Sequence, residues 1–334
     1  MEENIEQEPT LEQEPIPEQK PTPEPEKRNF LKYIFVGADG IRAGWSVSIF
    51  IVIFSILAAL VGFAASKISW LKQGDVLKPI VSLVNELILL IVLVICTWIM
   101  AKIEKRKVIS YGFVSQNKFL PALIGSLWGF VSLSTLVLLM WKFGYITFNG
   151  FAIHGADIFT DALIYGLMFF IVGLFEEFLF RGYLQYTLTR GMGFWAGTLV
   201  VAVFFTLAHI SNGGETGLGL FSVALASLVF SVSLWYTRSL WWAIGFHAGW
   251  DWAQSYFYGT PDSGLLAQGH LLNSKVVGSK LWSGGTTGPE GSLFLIPVLI
   301  LVIIGMYIAW HRNTKVGILA TNAAISKYSA VADQ

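Results

Sequence analysis

Five ionisable side chains lie inside or at the edge of apolar stretches in the second half of the sequence. They are Glu176, Glu177, His209, His247 and Asp251. Charged groups within membrane helices are costly and usually face a cavity or a partner, so each is a candidate functional residue. The imidazoles and carboxylates could activate a water molecule by general base catalysis and stabilise the resulting oxyanion. They could instead ligate zinc, which takes histidine and carboxylate ligands and keeps a position open for water.

Helical spacing gives the two adjacent glutamates different roles. Glu177 and Arg181 are four residues apart with the acid first, which is the favourable order for an ion pair on a helix. Glu176 points about 100° away from that pair. We therefore expect Glu177 to be neutralised for structure and Glu176 to be left for chemistry. Phe205 precedes His209 by one helical turn, on the same helical face.

His247 and Asp251 are also four residues apart, so one helix presents both to the same cavity. Glu86, in the second apolar stretch, is a sixth intramembrane carboxyl group and could cap a polar contact within the bundle. The alternative for the whole set is a buried polar network that holds helices together. The sequence contains no His-Glu-x-x-His zinc signature, no P-loop and no Gly-x-Ser-x-Gly elbow.

The elements that position these residues are long apolar helices. The chain is 54% hydrophobic and 13% charged, whereas a soluble domain is about 25% charged. Backbone groups in lipid must be satisfied internally, so runs of about 20 apolar residues are transmembrane helices. The sequence predicts an all-α, polytopic transmembrane helix bundle with a polar catalytic cavity and about eight spans, near 43–66, 79–101, 120–141, 159–180, 194–211, 217–236, 240–258 and 291–311.

Composition divides the chain into five segments. Residues 1–28 are rich in Glu, Pro and Gln and cannot bury enough apolar surface to fold, which predicts a disordered acidic cytoplasmic tail. The other predicted segments are N-terminal transmembrane helices (29–150), a catalytic helix core (151–258), an extracytoplasmic loop (259–290), and the last transmembrane helix with a C-terminal tail (291–334).

Lysine and arginine cluster in alternate loops, for example at 102–107 and after the fourth and sixth spans. Such clusters mark cytoplasmic loops, which places both termini in the cytoplasm of, most simply, a bacterial inner membrane. The lipid bilayer is then a partner of the chain. A formal net charge of zero gives no support for nucleic-acid binding. The single cysteine, Cys96, lies in an apolar run and is interpreted as a packing residue.

Three motifs occur in order, each on an apolar helix: Glu176-Glu177-x-x-x-Arg181, Phe205-x-x-x-His209 and His247-x-x-x-Asp251. In these motifs the sequence resembles the CPBP family of intramembrane proteases, which includes the type II CAAX prenyl endopeptidases and the Abi-type bacterial proteins. The resemblance covers roughly residues 160–255. It implies a membrane endopeptidase, either a metalloprotease or a glutamate protease, whose cavity opens toward the cytoplasmic side.

The resemblance also implies a role for each residue. Glu176 would activate water with help from His209, while His247 and Asp251 would stabilise the oxyanion or complete a metal site. If zinc is bound, His209, His247 and Asp251 are the predicted ligands and Glu176 the base. The implied substrate is a membrane-associated protein or peptide, as in CAAX proteases. Two other functions are weighed against this one: a non-catalytic immunity or scaffold protein of the same fold, and a proton-coupled transporter.

Overall fold

The computed structural model describes residues 34–37, 40–72, 76–115 and 117–310. The predicted acidic tail at 1–28 and the predicted C-terminal tail after residue 310 lie outside the described residues.

Within the described residues, eight helices of eleven residues or more form the bundle. They are α1 (Ala43–Ala65), α2 (Pro79–Ile103), α3 (Phe119–Lys142), α4 (Asp157–Met192), α5 (Phe194–His209), α6 (Gly217–Thr237), α7 (Trp241–Asp251) and α8 (Leu295–Trp310). Five of them, α1 to α4 and α6, are long and apolar enough to cross a membrane by length and composition. The protein is thus an all-α integral membrane bundle, as predicted. The count of eight spans stays a prediction, since α5, α7 and α8 are shorter.

The fourth predicted span, 159–180, ends too early. A π-helical turn over Phe178–Leu184 continues the helix past the charged motif, so that α4 runs to Met192. Gly193 then stops the helix with φ +82, a left-handed conformation that glycine adopts without steric cost. The chain therefore turns sharply into α5.

Helices α3 and α7 pack with their backbones in direct contact. Each carries two glycines four residues apart, Gly125 and Gly129 on α3 and Gly245 and Gly249 on α7. A Cβ atom on Gly129 would lie 2.1 Å from the carbonyl oxygen of Phe246, and one on Gly249 would lie 2.1 Å from that of Ser126. Small residues allow this close approach between membrane helices. The contact fixes α7, which carries His247 and Asp251.

The segment 259–290, predicted as a loop, contains short strands. Three two-stranded sheets occur among the described residues: β1 (Val36–Gly37) with β2 (Gly40–Ile41), β3 (Val76–Leu77) with β5 (Leu266–Ala267), and β4 (Ile146–Phe151) with β6 (Leu272–Val276). The last two sheets tie the segment to the connections before α2 and α4. The segment is therefore packed against one end of the bundle.

Candidate active site

Three helices bring the predicted catalytic residues to one cavity of about 510 Å³. Glu176 comes from α4, directly before its π-helical turn, and His209 is the last residue of α5. His247 and Asp251 lie one turn apart on α7. All four line the cavity. Residues separated by up to 75 positions in the sequence thus share one polar space inside an apolar bundle.

A buried ion pair lies beside this cavity. Arg181 Nη1 is 3.2 Å from Glu177 Oε1, and both side chains are 0% exposed. The guanidinium carbon of Arg181 lies 4.3 Å from the ring centroid of Phe205 and 4.8 Å from that of Phe230, distances that allow cation–π attraction. The pair is therefore held in a rigid, water-excluding environment. This is the ion pair that the i, i+4 spacing predicts.

The Glu177 carboxylate also orients His247. Its Oε1 lies 3.1 Å from His247 Nδ1, and because an ionised carboxylate only accepts, Nδ1 is the donor. The opposite ring nitrogen, Nε2, is 3.7 Å from Glu176 Oε2 and 3.5 Å from Asp251 Oδ2. Arg181, Glu177 and His247 thus form a chain that presents one ring nitrogen to both cavity carboxylates. The spacing within α4 gives no sign of this contact with α7.

His209 is held differently. Its Nδ1 lies 2.8 Å from the backbone oxygen of Phe205, which can only accept, so that Nδ1 donates and Nε2 is left as the acceptor. The His209 ring is 4.7 Å from the Phe205 ring. Among the described residues, neither ring nitrogen of His209 lies within 4.0 Å of a carboxylate oxygen of Glu176 or Asp251. It therefore lines the cavity apart from the cluster around His247.

Glu176 is the most exposed of the clustered carboxylates. Its side chain is 20% exposed, and its buried Oε2 has no hydrogen-bond partner among the described residues. A carboxylate with lone pairs facing a cavity can accept a proton from a bound water. Glu177, one residue further along, is fully buried; its Oε1 accepts from two donors, while its Oε2 has no hydrogen-bond partner among the described residues. The two neighbours are thus in opposite environments.

The predicted zinc ligands do not form a metal site as they are placed. Among the described residues, no group of three His, Cys, Asp or Glu side chains could hold a metal ion. His247 uses Nδ1 on Glu177, and His209 stands apart from the His247–Asp251 pair. Zinc binding by His209, His247 and Asp251 stays a prediction from the sequence.

Two carboxyl groups that line the cavity were missed by sequence reasoning. Asp262 and Glu290 belong to the 259–290 segment, where no periodic pattern marks them. Glu290 Oε1 accepts from Trp250 Nε1 at 2.9 Å, and its Oε2 accepts from the backbone N of Ser263 at 3.0 Å. Burial, with Asp251 and Glu290 nearby, raises the pKa of Asp262 well above its usual range. The paired glycines of α3 and α7 are a readable signal that was also missed, since Gly-x-x-x-Gly marks close helix contacts.

Glu86, noted in the sequence as a sixth intramembrane carboxyl, faces the same cavity from α2. Its Oε2 is buried and lacks a hydrogen-bond partner among the described residues. It therefore does not cap a contact within the bundle through that oxygen. It is a further cavity carboxyl, close enough to Glu176 for their charges to interact.

Fold and site together define a class: an integral membrane helix bundle with a buried carboxylate–imidazole cluster facing a polar cavity. Residues 158–253 match the family model described as type II CAAX prenyl endopeptidase Rce1-like. The chain therefore carries an Rce1-like domain, the kind found in CAAX-type intramembrane proteases, and the predicted resemblance is confirmed for this region. No curated protein matches the chain. Its predicted similarity to Abi-type proteins stays a prediction.

Proposed function

We propose that the protein is an intramembrane endopeptidase in which Glu176 activates a water molecule. One observation carries the proposal: the partly exposed Glu176 carboxylate faces the cavity and lies 3.7 Å from a histidine nitrogen. That histidine is held in place by a fully buried Glu177–Arg181 pair. A polar network that only joined helices would have no reason to turn its central carboxylate into a cavity.

In the proposed reaction, the Glu176 carboxylate takes a proton from a water molecule while the water oxygen attacks the carbonyl carbon of the scissile peptide bond. His209, through Nε2, accepts a hydrogen bond from the same water and helps to orient it. The oxyanion that forms accepts a hydrogen bond from the protonated Nε2 of His247. Asp251 helps to position this nitrogen, which lies 3.5 Å from Asp251 Oδ2. The carbon–nitrogen bond then breaks, and the proton on Glu176 passes to the leaving amine. General base catalysis of this kind contributes roughly 10²–10⁴-fold to a rate.

The substrate we propose is a membrane-associated protein or peptide. The cavity is surrounded by helices whose outer faces are apolar, such as α1, where Leu60 and Phe63 are exposed. A substrate segment would therefore reach Glu176 from within or beside the bilayer. We also propose that the basic connections face the cytoplasm, because positive loops are retained there.

The test is a comparison of membrane-associated peptides in cells that lack the gene and are complemented with either the wild type or Glu176→Gln. We expect at least one polypeptide to accumulate uncleaved in the deletion and the Glu176→Gln strain, and to be processed with the wild type. Processing by Glu176→Gln at the wild-type rate would contradict the proposal and leave the scaffold or transporter functions.

Metal dependence needs a separate measurement. Elemental analysis of the purified protein, with a chelator and zinc add-back, distinguishes the two protease types. Full activity after chelation is expected for the glutamate–histidine mechanism. Activity that is lost with the chelator and restored by zinc would instead support the predicted His209, His247 and Asp251 site.

A further inference from the structure

The cavity residues that lie near helix ends all lie at the same end of the bundle. We call this the loop end; it is formed by residues 66–72, 76–78, 143–156, 210–216 and 258–294. The cavity residues there are Ser82, Asn85 and Glu86 in the first turns of α2, His209 and Asn212 at the exit of α5, Ser222 and Val223 at the start of α6, and Asp262, Ser263, Leu265 and Glu290. The cavity therefore extends from the middle of the bundle to the loop end.

The opposite end, which we call the basic end, is formed by the described residues 104–115, 117–118, 190–193 and 238–240. None of these residues lines the cavity. Below the cavity, Glu104 accepts hydrogen bonds from the hydroxyl groups of Tyr111 and Tyr183, each at 3.0 Å, and lies 3.4 Å from Arg190. The Glu104 side chain is 3% exposed. A buried, hydrogen-bonded layer thus separates Glu176 from the basic end.

A second layer of buried contacts closes the same side. Gln185 donates to Thr198 at 2.8 Å and accepts from Ser231 at 2.9 Å, joining α4, α5 and α6. The backbone N of Leu240 donates to the carbonyl of Gly112 at 3.0 Å, which fixes the α6–α7 turn against the α2–α3 connection. These contacts fill the bundle on the basic side of the catalytic cluster, whereas the loop end offers polar side chains that line the cavity.

The two ends differ in charge in the way that sets membrane orientation. The α2–α3 connection at the basic end carries Lys105, Arg106, Lys107 and Lys118 within fifteen residues. Short connections rich in lysine and arginine stay in the cytoplasm. Together with the position of the cavity, we infer that the active site opens to the extracytoplasmic side, so that its substrates are polypeptide segments presented from that side of the membrane. This inference extends the proposed peptidase function, and its statement about substrates rests on that function. It reverses the cytoplasmic opening that the family resemblance implies.

Cysteine accessibility tests the direction of opening without any assay of activity. Cys96 is the only cysteine and is buried, so Cys96→Ala gives a thiol-free background. Two matched asparagines are then replaced one at a time: Asn212→Cys at the cavity mouth and Asn117→Cys in the basic α2–α3 connection. Ser263→Cys serves as a second probe of the mouth. Variants are compared by thermal melting with the Cys96→Ala parent.

We expect a membrane-impermeant maleimide to modify Asn212→Cys and Ser263→Cys in intact cells, and to modify Asn117→Cys only after permeabilisation. The reverse pattern would overturn the inference. So would thiols at 212 and 263 that react only after permeabilisation, or that stay unreactive in a correctly folded protein. Because labelling needs no catalysis, loss of the proposed peptidase function would appear in the Glu176→Gln comparison and not here.

Discussion

Glu104, at the basic end, and the cavity residues Glu86 and Glu176 hold their buried carboxyl groups in opposite ways. At the basic end, Glu104 is bonded to two tyrosine hydroxyl groups and lies 3.4 Å from Arg190. In the cavity, Oε2 atoms of Glu86 and Glu176 are buried without hydrogen-bond partners among the described residues. A carboxyl held by protein donors contributes to folding free energy, whereas one that faces a cavity is left free to act on water. Such a difference is expected where one region holds the fold and the other carries out chemistry.

The same substitution at Glu176 and at Glu104 tests this comparison most directly. We expect Glu176→Gln to lower peptidase activity by roughly 10²–10⁴-fold, because it keeps shape and removes the base, with little change in melting temperature. Glu104→Gln should keep the activity of the folded protein and lower its stability by about 1–3 kcal/mol, because it weakens charged hydrogen bonds. Activity and thermal melting are measured on both variants. If Glu104→Gln lost activity while folded, or Glu176→Gln kept it, the distinction between the ends would fail.

The Glu177–Arg181 pair combines a structural and a catalytic role. It is fully buried, and Glu177 contacts His247. Glu177→Gln should lower stability by about 3–5 kcal/mol, because it leaves the guanidinium charge buried and unpaired. It should also lower activity, because His247 Nδ1 loses its charged acceptor.

A double substitution separates these two effects. Glu177→Leu with Arg181→Met replaces the pair by apolar side chains, which often restores stability. We expect melting to recover and activity to stay low. Recovery of both would show that the pair acts only in folding.

Glu86 is a cavity carboxyl that lies outside residues 158–253, which match the family model. It faces the cavity from α2, close enough to Glu176 for their charges to interact. Glu86→Gln should change activity by about fivefold, which corresponds to roughly 1 kcal/mol of barrier, with an unchanged fold. The measurement is the rate at several pH values, since removing a neighbouring carboxyl shifts the pH profile as well as the rate. An identical profile would exclude an influence on Glu176.

The smallest effect is expected at Asp262, in the segment that lines the cavity at the loop end. Its pKa is raised in the folded protein by burial and then by Asp251 and Glu290. A raised carboxyl pKa means that the folded state binds the proton more tightly, so its stabilising effect is complete below about pH 4 and is lost as pH rises through the raised value. Thermal melting of the wild type should therefore fall across this range, and Asp262→Asn should flatten the dependence. A steeper pH dependence of the melting temperature in Asp262→Asn would contradict this prediction.

The sequence was a good guide wherever the signal is local. Apolar length located the helices, and i, i+4 spacing identified the pair of Glu177 with Arg181 and the shared helix of His247 with Asp251. What it could not supply depends on contacts between distant segments. The bond from Glu177 to His247 spans 70 positions, and the wall formed by Asp262 and Glu290 depends on how the 259–290 segment packs. The π-helical turn after Glu177 also escaped, because it changes no apolar pattern.

The account's central claim is that a water activated by Glu176 cleaves a peptide bond. The most direct measurement uses protein reconstituted in liposomes, in water enriched in ¹⁸O, with a panel of prenylated and unprenylated membrane peptides. The products are analysed by mass spectrometry. We predict cleavage of at least one peptide, with one ¹⁸O atom in the new carboxylate of the product, and no labelled product with Glu176→Gln. Equal labelled cleavage by the wild type and Glu176→Gln, or no cleavage of any peptide by the folded wild type, would contradict the claim.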